Sequence, residues 1–432
     1  MNAMHRVVLV AASGLALTGC RFTGGLKPPA PSGSADMTNV LRIADRYKVN
    51  AIISRRTTHA DYWRALAPSL RSPRLKVDEV GRSMQGRELR TITFGSGSAK
   101  VLLWSQMHGD ESTATMALAD ILRFLDGAED DPLREHLRRA LTVTFVPMLN
   151  PDGAERFQRQ NAAGIDINRD ARQLSTPEGR TLKALHDRLQ PDFGFNLHDQ
   201  NARTRVGRNG PQAGIALLAP ATDAARTWGP VRSRARLIAA GLARDLGGEI
   251  PGRIAKYDDA FNPRAFGDLV QTWGTSTVLI ESGALPDDPE KQKLRRLNVA
   301  GILRALDAIA TKSYAAADSN DYERLPFNTG GAYDLLIMGG RLVLPGMPPL
   351  RADIAINYED AVARQDGRVR EVGDLTGAVA IDTLDASQAF LHPRPEALTT
   401  SGTNVYLTIG APAAIDIRAT ADPRSRLRRA IQ

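Results

Sequence analysis

Between about residues 40 and 312 the sequence alternates short apolar runs with longer stretches whose apolar residues recur at helical spacing. This alternation is typical of an α/β domain. The candidate strands are 89–94, 101–104, 141–147, 193–197, 215–218 and 277–280, and the candidate helices are 113–125, 177–189, 231–246 and 289–310. Polar residues stand where several of these strands end, which is the edge at which open α/β sheets bind ligands.

The length and the amino-acid composition indicate how large a core the chain can bury. Its 432 residues, 42% hydrophobic and 24% charged, can bury one large core and a smaller second one. Part of the net charge of +8 comes from arginines near the end of the sequence, Arg418, Arg424, Arg426, Arg428 and Arg429. No aromatic residues interleave with them, which argues against a nucleic-acid platform. We expect a solvated basic tail over 421–432, the alternative being a segment that lies against anionic lipid or cell wall.

The N-terminus indicates a compartment. His5 and Arg6 precede an apolar stretch, 7–17, that is too short to span a bilayer and is followed by Cys20, the only cysteine. Residues 1–20 resemble a bacterial lipoprotein signal with its lipobox, and the alternative is an ordinary secretory signal. The Gly-, Pro- and Ser-rich segment after it predicts a flexible tether over 21–44. We expect a lipid anchor at Cys20, a location in the cell envelope, periplasmic or at the outer membrane, and no mature transmembrane helix.

A candidate metal site is formed by two separated motifs. His108-Gly-Asp-Glu111 follows the apolar run 101–104, and His198 ends the run 193–197. Two imidazoles and one carboxylate suit a catalytic zinc, because its fourth position stays open for water or a substrate oxygen. Taken singly, His108 could be a loop histidine, and His198 could be a core histidine that bonds a backbone carbonyl.

Glu281 is a third element of the candidate site. It follows the β-branched and apolar run 277–280, so its carboxylate is expected at a strand end in a partly desolvated site. There it could act as a general base toward water at the metal. The alternative is an acid that only pairs with an arginine.

Two further segments carry candidate binding groups. Asn150-Pro-Asp-Gly153 predicts a turn. Asn168 and Arg169 stand side by side and could grip a carboxylate, because the planar guanidinium matches its two oxygens. Their alternative is a surface salt bridge with Asp166 or Asp170.

Six ordered motifs resemble the zinc metallocarboxypeptidase family, which includes the pancreatic carboxypeptidases. They are Gly81–Arg87, His108–Glu111, Asn150–Gly153, Gly164–Arg169, Leu197-His198 and Ile280–Gly283. The resemblance implies a catalytic domain over 45–312, built on a mixed eight-stranded sheet flanked by helices. It also implies that His108, Glu111 and His198 bind one Zn²⁺ per chain and that Glu281 is the general base and later the proton donor.

The resemblance also implies roles for several basic residues. An arginine should polarise the scissile carbonyl and stabilise its oxyanion, and Arg159 is the best match, with Arg156 as a rival. Asn168 and Arg169 match the pair that anchors the terminal carboxylate of the substrate. That pair favours removal of a C-terminal residue over internal cleavage.

The resemblance leaves the substrate pocket open. The tyrosine that caps the substrate should lie near Tyr257, but Phe261 and Phe266 surround it and the register is uncertain. Whether Tyr257 takes part therefore stays undecided. The residue that sets the side-chain preference should lie between Phe266 and Asp268, where an acid favours Lys or Arg and an aromatic wall favours apolar side chains.

Beyond residue 312 the composition changes. We expect a linker over 313–326 and a small β domain over 327–420, with strands at 333–344 and 352–356 and a hairpin turn at Asp366-Gly367. This stretch resembles the small β-sandwich of amidohydrolases, and a noncatalytic role is expected. His392 is expected to be structural.

These observations predict a zinc metallocarboxypeptidase that acts on peptides with a free C-terminal carboxylate. One alternative is a zinc amidase or deacylase that acts on cell-wall stem peptides or other non-peptide amides. Another is a catalytically silent binding module. No feature of the sequence indicates an oligomeric state.

Overall fold

The computed structural model describes residues 35–432. The predicted lipobox with Cys20 and most of the predicted tether lie outside the described residues. Within the described part, no helix combines the length and the apolar character that crossing a membrane requires.

A mixed eight-stranded sheet forms the centre of the larger region, in the order β1-β2-β4-β3-β5-β9-β7-β8. The strands up to residue 282 are β1 (Leu75–Arg82), β2 (Glu88–Phe94), β3 (Ala99–Ser105), β4 (Leu141–Val146), β5 (Phe193–Asp199), β6 (Arg205–Val206), β7 (Ile215–Leu218), β8 (Ile254–Lys256) and β9 (Ser276–Ser282). β3, β5 and β9 run parallel to one another at the centre. The expected mixed eight-stranded sheet is therefore confirmed.

Helices cover both faces of this sheet. The helices are α1 (Met37–Arg46), α2 (His59–Leu66), α3 (Thr113–Asp126), α4 (Pro132–Ala140), α5 (Pro151–Arg156), α6 (Pro177–Leu189), α7 (Pro230–Glu249), α8 (Phe266–Thr272), α9 (Gln292–Ala310) and α10 (Asn320–Glu323). Val101 and Leu103 of β3 pack with α1, α3, α7 and α9, whereas Leu102 and Trp104 pack with α6 and α8. Alternate side chains of a strand point to opposite faces, so one continuous apolar run serves two cores.

The predicted helices and strands of this region are present, with small shifts at their ends. α9 begins at Gln292 and not at residue 289, because Lys291 adopts a left-handed conformation and Asp288 accepts hydrogen bonds from the first turn. α1 lies partly inside the predicted tether over 21–44. Its residues Val40 and Ile43 are buried against the main core, so the tether prediction is wrong from Met37 onward.

The C-terminal part forms a seven-stranded sheet in the order β13-β12-β11-β15-β18-β19, with β14 paired to β11. The strands are β10 (Asn328–Thr329), β11 (Tyr333–Leu342), β12 (Leu350–Asp360), β13 (Gln365–Gly373), β14 (Ala380–Asp385), β15 (Phe390–Pro393), β16 (Leu398–Ser401), β17 (Asn404–Leu407), β18 (Ile415–Arg418) and β19 (Leu427–Ile431). β16 and β17 form a separate two-stranded sheet. This region has its own core, which includes Leu335, Ile354 and Ile415.

Three predictions in this region need correction. Asp366-Gly367 lies within β13, and the turn of the hairpin falls earlier, at residues 361–364. The predicted linker is packed, because the buried Tyr322 accepts a hydrogen bond from the backbone of Ala219. The predicted basic tail contains β19, which pairs with β18 at the edge of the sheet, exposes residues 427–430 and buries Ile431 in the core.

Candidate metal centre

The three predicted ligands come from two neighbouring parallel strands. His108 and Glu111 lie in the loop between β3 and α3, and His198 is the second-last residue of β5. Ser105 of β3 is the register partner of Leu197. Because parallel strands end at the same edge of a sheet, the loop and the strand end bring these side chains together.

The ligand atoms face one another. The Nδ1 atoms of His108 and His198 each lie 2.7 Å from a different carboxylate oxygen of Glu111, and 3.2 Å from each other. All three residues are buried. Ligand atoms at about 2.0–2.1 Å from a tetrahedral metal lie roughly 3.3 Å apart. The separations here, 2.7 to 3.2 Å, are near that value, so the cluster fits a site for one metal ion.

Neighbouring groups orient the ligands. Nε2 of His108 lies 3.0 Å from Oδ1 of Asp166, and the backbone N–H of Asp199 donates to Oε2 of Glu111 at 3.1 Å. A proton on Nε2 of His108 leaves the Nδ1 lone pair free for a metal. Among residues 35–432, Nε2 of His198 has no hydrogen-bond partner.

The electrostatics of the cluster favour a cation. Burial opposes ionisation of Glu111, but the two histidines outweigh it and hold the pKa of this carboxyl well below its usual range. Burial lowers the pKa of His198. Burial would also lower the pKa of His108, but Glu111 and Asp166 together have the larger effect and raise that pKa to about 9. Glu111 is therefore an anion at neutral pH, the state that a metal ligand needs.

Glu281 lies beside the ligands. It is the register partner of His198 across the parallel pair of β5 and β9, so the two side chains emerge on the same face. Only 8% of the residue is exposed. Burial, together with the negative charge of Glu111, raises the pKa of the Glu281 carboxyl well above its usual range. Such a carboxyl is suited to taking up a proton.

Arg159 reaches the ligands, and Arg156 does not. A guanidinium nitrogen of Arg159 donates to Oε1 of Glu111 at 3.2 Å and lies 3.1 Å from Nδ1 of His108. Its other nitrogens pair with Asp166. Arg156 is exposed at the last residue of α5.

Asn168 and Arg169 stand on a single 3₁₀ turn, 167–169, next to Asp166. Oδ1 of Asn168 accepts the backbone N–H of Phe266 at 2.9 Å, which ties this turn to the start of α8. Arg169 is exposed and donates to the backbone oxygen of Asn168. Its guanidinium therefore remains available to a ligand at the surface of the site.

Tyr257 is placed close to Glu281. The negative charge of Glu281, and then burial, raise the pKa of the tyrosine hydroxyl to about 12. Glu111, Arg159 and Arg169 also act on it. The sequence leaves the role of this residue undecided because Phe261 and Phe266 lie nearby, and the strand before it, β8, has only three residues to fix the register.

The other motifs hold the loop that carries His108 and Glu111 in place. Asp152 accepts hydrogen bonds from Ser83 and Arg87, at 2.8 and 2.7 Å, which fastens the 81–87 turn to α5. Asn150 caps α5 and donates to the backbone of Met107 and Arg159. The predicted turn at 150–153 is therefore the capped start of a helix. A Cβ on Gly109 would lie 2.0 Å from the backbone of Gly153, so only glycine allows this close approach.

The fold and this cluster define an α/β protein with a candidate site for a single metal ion. Residues 61–208 match the family model described as zinc carboxypeptidase. The match confirms the resemblance to the zinc metallocarboxypeptidases. The matched segment contains the three candidate ligands, Arg159, Asn168 and Arg169, and it ends before Tyr257 and Glu281.

Individual relatives are distant. Carboxypeptidase 2 of Trichophyton tonsurans is 31% identical over 112 residues, which are 26% of this chain and 20% of that protein. A zinc carboxypeptidase of Saccharothrix mutabilis subsp. capreolus is 31% identical over 116 residues, 22% of this chain and 27% of that protein. An uncharacterized protein of Zymomonas mobilis is 28% identical over 131 residues, 29% of this chain and 34% of that protein. The chain thus spans about a third or less of the length of these relatives.

Among solved structures, a metallo-carboxypeptidase from Burkholderia cenocepacia is similar with a TM-score of 0.49 at 18% identity, over 60% of this chain and 70% of that one. Thrombin activatable fibrinolysis inhibitor is similar with a TM-score of 0.48 at 14% identity, over 63% of this chain and 80% of that one.

Proposed function

We propose that this protein is a zinc-dependent metallocarboxypeptidase that hydrolyses the C-terminal amide bond of peptides. The observation that carries the proposal is the register of β5 and β9, which sets the buried Glu281 directly beside the ligand His198. A carboxyl with a raised pKa next to a metal site can move a proton during hydrolysis. The resemblance over residues 61–208 supports the same activity.

The residues of the site take distinct roles in this proposal. A zinc ion bound by His108, Glu111 and His198 would supply Lewis-acid polarisation of water and of the scissile carbonyl. Glu281 takes a proton from the attacking water and passes it to the leaving amine. Arg159 donates to the carbonyl oxygen as negative charge grows on it.

Side chains around the candidate metal centre bind the substrate in this proposal. The guanidinium of Arg169 and the side-chain N–H of Asn168 bind the two oxygens of a terminal carboxylate. The hydroxyl of Tyr257 keeps its proton because its pKa is about 12, so it can donate to the bound peptide. A free C-terminal carboxylate is therefore the feature that a substrate must carry.

The activity is tested with one peptide in two forms, with a free and with an amidated C-terminus, and with stem peptides from cell wall. Mass analysis is expected to show single C-terminal residues released from the free form only. The Glu281→Gln variant is expected to bind zinc and to lose turnover. Glu371→Gln is the control, because Glu371 is exposed in the C-terminal sheet, and this variant is expected to keep both zinc binding and turnover. Equal cleavage of the amidated peptide, or internal fragments, would rule out a carboxypeptidase.

We also propose that Cys20 carries a lipid that anchors the protein in the bacterial cell envelope. The lipobox-like run that ends at Cys20 supports this location. Detergent partition of the full chain and of Cys20→Ser in the native host tests it. The anchor is expected to place the unmodified chain in the detergent phase and the variant in the aqueous phase. Aqueous behaviour of both proteins would contradict the anchor.

A further inference from the structure

A buried ion pair lies next to the candidate metal centre. The Lys291 Nζ atom is 2.9 Å from Oδ2 of Asp199. The two side chains are only 5% and 7% exposed, respectively. Desolvating two charges is costly, so a pair in such a place calls for a physical explanation.

Asp199 joins the two segments that carry the ligands. It directly follows His198, and its backbone N–H donates to Glu111. Its Oδ2 atom accepts a hydrogen bond of 2.6 Å from the hydroxyl of Thr113, the first residue of α3. Asp199 thereby ties the end of β5 to the loop that holds Glu111.

Lys291 extends this connection to the general base. Its ammonium group lies 3.5 Å from the backbone oxygen of Ser282, the residue that follows Glu281. Its own backbone precedes α9 in a left-handed conformation with φ of 52°. One cation thus bridges the ends of β5 and β9 and the start of α9.

The charge of Lys291 also matters for the site as a whole. The side chains of Glu111, Asp199 and Glu281 place three largely buried carboxyl groups close together. Like charges in a poorly solvated region repel one another, and a fixed cation behind them reduces that repulsion. The cation faces Asp199 and not the ligand atoms, so it leaves the metal position to a metal.

We propose that Lys291 is a positioning residue which, through Asp199, holds His198 and Glu111 in the geometry that binds the metal and keeps Glu281 beside them. This inference rests on the proposed function. Lys291 touches neither substrate nor metal in this account. Groups behind metal ligands typically change metal affinity about 10- to 100-fold when they are removed.

A second buried ion pair provides a matched control. Arg295 lies one helical turn after Lys291 on α9, and its Nε atom is 2.7 Å from Oδ2 of Asp120 on α3. Both side chains are at most 3% exposed. This pair joins α3 and α9, the two helices whose starts lie beside the Lys291–Asp199 pair, and it has no hydrogen bond to a candidate ligand residue. It therefore reports what loss of a buried ion pair does to the fold alone.

The test compares Lys291→Met, Asp199→Asn, the double variant and Arg295→Met with the unchanged protein. Zinc affinity is measured by competition with a chelator, the coordination by the visible spectrum of the cobalt-loaded protein, and stability by urea unfolding of the metal-free protein. Lys291→Met and Asp199→Asn are expected to bind zinc about 10- to 100-fold more weakly and to alter the cobalt spectrum. The double variant is expected to recover stability but not zinc affinity, whereas Arg295→Met loses stability and keeps the affinity.

Two outcomes would overturn the inference. One is a loss of zinc affinity in Lys291→Met no larger than in Arg295→Met, and the other is full recovery of affinity in the double variant. If Lys291→Met does not fold, Thr113→Val removes one hydrogen bond of Asp199 and is expected to weaken zinc binding and shift the cobalt spectrum. An unchanged affinity in that variant would also overturn the inference. A wild-type protein that binds zinc and cleaves no peptide would contradict the proposed function and leave this comparison intact.

Discussion

Asp166 connects several groups of the candidate site. Its carboxylate lies against Nε2 of His108, pairs with Arg159 and accepts the backbone N–H of Asn168. Burial opposes its ionisation, but His108 and Arg159 outweigh burial and hold its pKa below the usual range. One side chain thus fixes His108, Arg159 and the turn that carries Asn168 relative to one another.

At the residue scale, Arg169→Met is expected to reduce kcat/KM for a free C-terminal peptide about 10- to 100-fold. A charged hydrogen bond contributes about 1.5–3 kcal/mol, and the loss should fall mainly on KM. Steady-state kinetics on one peptide measure it, with zinc content as a check on the site. Arg156→Met is the control, because Arg156 is also an exposed arginine nearby. Equal losses in the two variants would contradict the assignment of Arg169.

The sequence predicted the site residues that stand in a short motif or at the end of an apolar run. It missed residues whose only indication is a contact with a partner far away in the sequence. His108 and Glu111 share one motif, and Glu281 ends an apolar run. Lys291 had no such signal, because its partner Asp199 is 92 residues away and the pair exists only once the sheet has formed. The sequence indicates Asp166 only as a salt-bridge partner of Arg169, since its contact with His108 spans 58 residues.

The short helix α8 supports the rim of the site. Its N-terminal residue Phe266 donates its backbone N–H to Asn168. Asp268, in the first turn, accepts the backbone N–H of Asn262 and so closes the preceding loop. Burial raises the pKa of this carboxyl to about 6.

At the element scale, Asp268 makes stability depend on pH. Its pKa is about 6 in the folded chain and about 3.9 in an unfolded one, so the folded state holds the proton more tightly. Its contribution to stability is fully present below about pH 4 and is lost as pH rises to about 6. Asp268→Asn keeps the backbone acceptor and removes the ionisation, so it should be about 1–3 kcal/mol more stable at pH 7 and unchanged at pH 4.

Urea unfolding of the metal-free protein at the two pH values measures this difference. Asp385→Asn serves as the control, because Asp385 is exposed and its pKa is lowered mainly by hydrogen bonds to Ser387. A destabilised Asp268→Asn at pH 7 would contradict the account of α8.

Long periodic elements were predicted well, and short ones were missed for a physical reason. α6 has the predicted bounds, because Thr176 caps it and Pro177 opens it. α4 and α8 have nine and seven residues, too few for an apolar periodicity to stand out. β1 pairs only at the edge of the sheet and buries only Leu75, so its sequence carries little strand pattern.

The C-terminal sheet contacts two segments that flank the candidate metal centre. Arg203, five residues after His198, donates to Asp334 at 2.9 Å and to the backbone of Tyr358. Arg55 pairs with Asp360, and its backbone oxygen accepts the hydroxyl hydrogen of Ser112, next to Glu111. Through these contacts the sheet supports the two segments that lie next to the candidate ligands. The sequence does not predict contacts between this sheet and the larger region, because it indicates a separate domain behind a linker.

At the scale of the whole molecule, Asp334→Ala is expected to lower the free energy of unfolding by about 1–3 kcal/mol, because it leaves Nε of Arg203 and the backbone N–H of Tyr358 without their acceptor. Urea unfolding measures the change. Asp382→Ala is the control, since Asp382 pairs with Arg364 at the surface, where both side chains are 45–46% exposed. It should change stability by less than about 0.5 kcal/mol. Equal effects of the two changes would mean that the contact does not brace the fold.

We expect His108, Glu111 and His198, which meet at neighbouring strand ends, to bind a single zinc ion beside Glu281. The most direct measurement is an anomalous difference map at the zinc absorption edge, from crystals of the zinc-loaded protein. One strong peak per chain is expected, about 2.0–2.2 Å from Nδ1 of His108, Nδ1 of His198 and a carboxylate oxygen of Glu111. A map with no peak there, or with its peak on other residues, would contradict it.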